Sequence, residues 1–522
     1  MLRKWNIFAY ISLAVVATWL RLMNLGYSDY QGDEIKALFL IDPNESVSEF
    51  LLSQRKGPIQ FLITFLLKFL DPEYMNRFLI RLPFAFAGIF AVYFFYKFLQ
   101  LHFNKKVSFY ATFFFATNGF LIAFARIVQY QSFVILFMVL ALYTFSLAAK
   151  KENWSKKGIY LGFIFWALSI LSHYDGVFIF PFVVYILVEW GKKYVFDVDE
   201  KFEHLKHLFL SLFISGVLMA LFYIPFIFAI TDATASYWQG RIVGTGGKIA
   251  SSIVLFRVYQ PIYVFHIYTL LSVFGLGVLI KDYLNLKEYK SIALITWALL
   301  PFLFLEVFVS IPGTHIYTYL IPLMVLMGIG VKGIERFMYY VSGRLAPIAK
   351  PIVRYINIAG ILVIFTFIFL QVNAIFVDHT AEYPWEPEKF LLWEFHQPSP
   401  AFHLSMFGFP YYRHWDEIGQ YVTSTENNGY YSTNERSSIS RYHIPFNKDT
   451  DSAGHFVHII NPQSFTPNPT QEKAQYWEEN YDPVKVFYSE DPNTPGRLRE
   501  IVKIYYMKVG SLDDLLKQNQ IE

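Results

Sequence analysis

Cysteine is absent from all 522 residues, so disulfides and thiolate metal ligands are excluded outright. Charge is scarce as well. Asp, Glu, Lys and Arg make up 16% of the chain, whereas soluble globular proteins carry about a quarter. The shortage falls on residues 1–377, which are built of long apolar runs, while 378–522 has an ordinary soluble composition. The net charge of +3 is small, and the basic residues lie between apolar segments instead of in one patch. Nucleic acid is therefore not an expected partner. No internal repeat or low-complexity segment is present. The run Gly244-Thr245-Gly246-Gly247-Lys248 has neither the spacing of a nucleotide-phosphate loop nor a strand before it.

What is abundant is apolar surface: 55% of the residues are hydrophobic and 20% aromatic. At about 20 residues per crossing, spans are expected at 7–25, 78–101, 106–124, 127–148, 157–173, 176–190, 207–230, 259–281, 289–310, 314–337 and 352–377. The first reads as a retained helix, because it runs on through Trp19 and Arg21 with no small-residue cleavage site. A further stretch, 58–70, is too short to cross comfortably. If it stays on one side, the basic loops holding Lys105/Lys106, Lys150/Lys151, Lys192/Lys193, Lys287/Lys290 and Lys332/Arg336 join Arg3/Lys4 on a single face, the cytoplasmic one.

The expected fold class is thus a polytopic α-helical membrane domain of about eleven spans over 1–377, with a catalytic outer loop at 26–77. A soluble α/β domain over 378–522 follows it. The expected placement is a multi-pass protein of the cell membrane, with its amino terminus cytoplasmic and its tail outside. The tail opens on Pro-rich linkers at 383–387 and 397–400. It reads as a helix at 412–424, strands at 429–433, 455–460, 484–488 and 501–507, and a helix at 471–480.

Unusual polar residues gather on the expected outer side. Asp33 and Glu34 follow the first span. An Asp-Glu pair can simply solvate a helix end, but a carboxylate facing a membrane slot is desolvated, and its pKa rises toward the range of a general base. Arg81 and Arg126 sit at span ends on the side where the positive-inside rule does not explain them. Guanidinium forks suit phosphate oxygens; the alternative is snorkelling to headgroups. Lys56 opens the 58–70 helix beside free backbone N–H groups, an arrangement suited to an anion or to interface anchoring. His173 lies in an outer turn, where it could orient a phosphate or sugar or serve as a hydrogen-bonded turn residue. No second histidine stands at ligand spacing, so no metal site is expected. Loop 231–258 reads as a flexible lid in which Trp238 and Arg241 could meet a sugar. His315, Tyr317 and Tyr319 open the tenth span on the same side, with Tyr317 read as part of an interfacial aromatic belt.

Taken together, Asp33-Glu34, Lys56-Gly57-Pro58-Ile59, Arg81-Leu82-Pro83, Ala125-Arg126 with Tyr130, and Tyr319-Leu320-Ile321-Pro322 resemble the lipid-carrier-dependent glycosyltransferases of the GT-C fold. Among these, the nearest in kind are the protein O-mannosyltransferases and the aminoarabinose transferases of lipid A. The resemblance covers most of 1–340. It implies a polyprenyl- or dolichyl-phosphate sugar donor, inverting transfer on the outer side of the membrane, and no cofactor. It implies Asp33 as base with Glu34 supporting it, and Lys56, Arg81, Arg126 and His173 as donor-phosphate contacts. Tyr130, Trp238, Arg241, His315 and Tyr319 are then candidates for sugar or acceptor contact. Many relatives carry an aspartate after the position of Arg126 and some a lysine near that of His173. Here the chain reads Tyr130-Gln131-Ser132 and Ser172-His173, which weighs against a metal-dependent mechanism.

The expected activity is therefore transfer of a sugar from a lipid-phosphate carrier to a hydroxyl on a protein, lipid or glycan acceptor. A transporter or flippase of lipid-linked sugars is the alternative. Transporters place their charges at the bilayer midplane, whereas here they gather at one face.

Overall fold

The computed structural model describes residues 2–196, 201–243, 258–261, 264–345, 349–396, 407–449, 452–463, 478–479, 481–491, 494 and 496–506. The glycine run at 244–248, the linker at 397–400 and most of the helix expected at 471–480 lie outside them. The chain forms two compact units. One comprises Met1–Met23, Phe39–Pro72 and Arg81–Asn373; the other comprises Asn24–Leu38, Glu73–Ile80 and Ala374–Glu522. This division differs from the hydropathy boundary at 377. Two polar pieces of the first loop pack with the tail, and composition along the chain does not register such packing.

The first unit is helical. Its elements are α1 (Leu2–Leu22), α3 (Val47–Ser53), α4 (Ile59–Lys68), α5 (Arg77–His102, from Arg81 on), α6 (Lys105–Thr117), α7 (Gly119–Ala125), α8 (Gln131–Lys150), α9 (Lys157–Ser172), α10 (Phe180–Tyr194), α11 (Lys201–Phe228), α12 (Asp232–Ile242), α13 (Val264–Leu286), α14 (Tyr289–Leu303), α15 (Tyr317–Leu345) and α16 (Ala349–Phe376). Among the described residues, eight helices are long and apolar enough to cross a membrane, and α6 with α7 forms a further, bent pair. Three shorter apolar helices are Ile7–Leu22, Ile59–Lys68 and Lys157–Ser172. All eleven stretches expected to span are helical over most of their length, and the chain is a multi-pass membrane protein.

Two corrections matter for the site. The stretch 106–124 is not one straight helix but two, bent by 58°. Asn118 leaves the helical region (φ −71°, ψ 125°), and its side chain caps α7 by accepting from the Leu121 N–H at 3.3 Å. Here Asn118-Gly119 acts as a stop and a restart. Loop 231–258 is also not wholly a loop. Its first part is α12, capped by Thr231.

Helices α13 and α15 approach closely through glycine. A Cβ on Gly275 would fall 2.0 Å from the Leu326 carbonyl, and one on Gly330 would fall 2.0 Å from that of Leu271. Small residues at such crossings let backbones touch, which substitutes for the missing hydrophobic drive between helices in lipid. One buried carboxylate in this unit, Glu335, is fully engaged. Lys332 lies 2.6 Å from it, Lys106 3.0 Å, and the Tyr110 hydroxyl donates to it at 2.6 Å.

The second unit contains α2 (Gly32–Ile35), a hairpin of β1 (Glu388–Phe390) and β2 (Trp393–Phe395), helices α17 (Trp415–Ser424) and α18 (Ser437–His443), and a five-stranded sheet. The sheet order is β4 (Asn447–Lys448), β3 (Tyr430–Thr433), β5 (His455–Ile459), β7 (Leu498–Tyr506), β6 (Lys485–Glu490). Strand β3 runs parallel to β4 and β5, and β7 is antiparallel to β5 and β6. This matches the expected α/β tail. Trp415, Ile418 and Val422, three and four residues apart, form the buried stripe of α17.

Candidate active site

In the first unit, polar chemistry collects where three short connections meet. The Lys56-Gly57-Pro58 turn abuts the end of α9: a Cβ on Gly57 would fall 1.8 Å from the Leu171 carbonyl. That approach brings Lys56 beside the Arg126–Tyr130 turn. Its ammonium donates to Gln129 Oε1 at 3.0 Å and sits 4.9 Å from the centre of the Tyr130 ring. Tyr130 stacks on His173, with centroids 4.3 Å apart and planes 13° from parallel.

His173 leads into a buried network. Its Nδ1 lies 3.2 Å from Asp175 Oδ1. Asp175 Oδ2 is 2.7 Å from His315 Nδ1 and accepts from the Tyr317 hydroxyl at 2.7 Å. The two imidazoles overlap at 5.0 Å. Spacing along the chain did not reveal this group, because His315 comes from 140 residues away. Tyr317, read as belt, is in the network. Tyr319, a candidate for sugar or acceptor contact, donates to Glu306 at 2.9 Å. The legible signals are the polar run His173-Tyr174-Asp175 between two apolar helices and the placement of His315 and Tyr317 at the start of the tenth span on the same side.

Helix α12 borders the same region. Arg241 donates to Tyr237 Oη at 2.8 Å and to the Ile311 carbonyl at 3.3 Å. Trp238 packs edge-on against Phe226, at 6.1 Å. Arg55 lies 4.1 Å over the Tyr237 ring.

A second cationic group lies between the end of α1 and the ends of α6 and α7. Arg126 donates to the Leu20 and Met23 carbonyls at 3.0 and 2.9 Å, the open end of α1. It is buried within electrostatic reach of Arg81 and of Arg21. Arg21 was not anticipated, since it falls inside the first apolar run; it donates to the Ala116 carbonyl at 3.1 Å. Buried guanidinium groups are costly unless something offsets their charge; of these three arginines, Arg81 and Arg126 are the candidates from the sequence and Arg21 is additional.

Asp33 and Glu34 belong to the second unit and differ from each other. Glu34 is buried and caps its own turn, accepting from the Gln31 N–H at 2.9 Å. The Asp33 side chain is 28% exposed, and Lys36 lies 3.5 Å from it. The turn that carries them is held firmly. Gly32 N–H donates to Gln463 Oε1 at 3.0 Å, and Ser28 Oγ accepts from the Tyr411 N–H at 3.1 Å. Asp29 accepts from the Arg413 N–H at 2.7 Å and pairs with Arg77 at 2.9 Å. Burial raises the Asp29 carboxyl above its ordinary value, with Arg77 opposing.

Residues 59–219 match the sequence model of the dolichyl-phosphate-mannose-protein mannosyltransferase family. No curated protein matches the chain by sequence. Among solved structures, ArnT from Cupriavidus metallidurans in the apo state is similar with a TM-score of 0.53 and 11% identity, covering 96% of this chain and 98% of that one. ArnT bound to undecaprenyl phosphate gives 0.53 and 10% over the same shares. The archaeal oligosaccharyltransferase AglB from Archaeoglobus fulgidus, in complex with an inhibitory peptide and a dolichol-phosphate, gives 0.53 and 12%, covering 95% and 74%. The chain has the GT-C fold. The resemblance read from the sequence therefore holds at the level of the fold.

Proposed function

We propose that this protein is an inverting membrane glycosyltransferase, moving a sugar from a polyprenyl- or dolichyl-phosphate carrier to an acceptor hydroxyl on the outer face of the membrane. The observation that carries the proposal is the buried cationic group of the membrane unit, Arg126 with Arg81, on a fold shared with proteins solved with undecaprenyl phosphate and dolichol-phosphate. Lys56, Arg81, Arg126 and His173 hold the donor phosphate; Tyr130, Trp238, Arg241, His315 and Tyr319 serve the sugar or acceptor. The outer-face assignment follows from the basic loops, which share one side when 58–70 does not cross.

Asp33 is the general base. Of the two neighbouring carboxylates it is the accessible one, while Glu34 is committed to the turn. Asp33 takes the acceptor proton as the hydroxyl oxygen bonds to the anomeric carbon. The bond from that carbon to the phosphate oxygen breaks on the opposite face, and the carrier phosphate leaves with its charge paired by arginine and lysine. No acid is needed for a leaving group that is already a phosphate. The test is transfer of label from a radiolabelled polyprenyl-phosphate sugar in membranes holding wild type or Asp33→Asn at equal levels. Loss of transfer in the variant is expected, by about 100-fold or more. Equal transfer in both would overturn the assignment of Asp33.

A further inference from the structure

We propose that His173, Asp175 and His315 form a binding centre for a zinc-like divalent cation. One ring nitrogen from each histidine and one Asp175 oxygen all lie within 4.8 Å of one another. Zinc bonds to imidazole nitrogen and carboxylate oxygen are about 2.0–2.2 Å long, so bound ligand atoms stand about 3–4 Å apart. The spacing of the three groups is within about 1–2 Å of that. Two imidazoles and a carboxylate with a fourth position open are a donor set that zinc accepts.

Electrostatics favours a cation there. Asp175 is buried, and among the described residues its ion-pair partners are the two histidines, with no lysine or arginine. A buried carboxylate needs a compensating positive charge. His173 Nδ1 also stands 3.2 Å from both the Asp175 N–H and Asp175 Oδ1. A nitrogen whose lone pair accepts from the N–H has no proton left to offer the oxygen, so the two acceptors face each other. A cation bound at Asp175 Oδ1 gives that oxygen a positive partner in place of a facing lone pair.

The surroundings resemble the outer shell of a metal centre. The Tyr317 hydroxyl donates to Asp175 Oδ2 at 2.7 Å, and Tyr130 stacks on His173 and fixes its ring plane. Groups in these positions orient ligands and tune their basicity. With Lys56 against Tyr130, the centre is net positive and its open position suits an anionic oxygen. That last step deepens the glycosyltransferase reading and rests on it: the anion would be the donor phosphate. Cation uptake does not depend on it and is measured with no donor present.

The full chain, purified in detergent and stripped with chelator, is dialysed against zinc, and its metal content and zinc-edge X-ray absorption are recorded. The expected result is about one zinc ion per chain with imidazole nitrogens at about 2.0–2.1 Å. His315→Gln and His173→Gln should lose that ion. Tyr317→Phe, which keeps all three ligands, should retain it with affinity lowered about 10–100-fold. Wild type that takes up no zinc, or zinc without imidazole in its shell, overturns the proposal, and this reading needs no variant to fold. Equal uptake by a folded His315→Gln variant overturns it as well. Stoichiometric zinc with no sugar transfer would sink the enzymatic reading while leaving the centre standing.

Discussion

One guanidinium nitrogen of Arg77 meets two carboxylates of its unit, the buried Asp29 at 2.9 Å and Asp416. Asp416 in turn meets His443 at 3.1 Å. Burial raises Asp416, but the His443 hydrogen bond and Arg77 outweigh it and hold it below the ordinary range. Removing Arg77 deprives Asp29, whose side chain is fully buried, of an ion-pair partner. Arg77→Ala should therefore cost about 3–5 kcal/mol. Adding Asp29→Asn to it should recover part of that loss, as a double-mutant cycle of unfolding would show. Additive losses would mean that the pair contributes no coupling.

The neighbouring carboxylates should separate experimentally. Glu34 accepts from the Gln31 N–H inside the protein. Glu34→Gln should lower stability by about 1 kcal/mol and reduce transfer only as far as the turn loosens. Asp33→Asn should leave the unfolding temperature unchanged and abolish turnover. Thermal unfolding measured beside label transfer distinguishes these outcomes. A reversed pattern would make Glu34 the base.

Much of this architecture is legible in the sequence. Apolar run length located the helices, since a membrane crossing needs an apolar stretch of fixed length. The strands expected at 429–433, 455–460, 484–488 and 501–507 are present as β3, β5, β6 and β7. What the linear reading lacked were contacts between distant segments. The helix bend at Asn118 is written in a single Asn-Gly step inside an apolar stretch, and hydropathy averages over it. The pairing of Asp175 with His315 depends on how α9 and α15 sit together, which spacing does not encode. Arg21 was hidden because one charge barely alters the hydropathy of a span. Short strands β1, β2 and β4 have two or three residues each, too few to display a period.

Glu388 gives the second unit a pH dependence with a definite sign. Burial pushes its carboxyl up to about 7, and Asp378 adds to the shift. An acid whose folded pKa lies above its unfolded value of 4.5 binds more protons when folded in the interval between them. Its contribution is present in full below that interval and is lost as pH rises through about 7. His455 works the other way, because burial lowers its pKa and costs stability as pH falls. Only the difference between wild type and Glu388→Gln isolates the carboxyl. That variant should show a smaller decline in unfolding temperature from pH 4.5 to 8, with the two curves separating most above 7. Parallel curves would place Glu388 in water.

Gly57 seats Lys56 through a close backbone approach. A Cβ there would fall 1.8 Å from the Leu171 carbonyl and 2.5 Å from its carbon, and both atoms are backbone. Neither can rotate away as a side-chain tip could, so the Lys56–Pro58 turn must lift off the end of α9. Overpacking of this kind costs about 1–3 kcal/mol. The displaced turn would also carry Lys56 away from Gln129, to which it donates at 3.0 Å. Gly57→Ala should therefore weaken donor binding as well as stability. Lys56→Gln should weaken donor binding alone, by about 10-fold if one charge-assisted contact to phosphate is lost. Comparing the donor concentration for half-maximal transfer in the two variants tests this. Unchanged donor dependence in Lys56→Gln would remove the lysine from the phosphate site and leave Gly57 a packing residue.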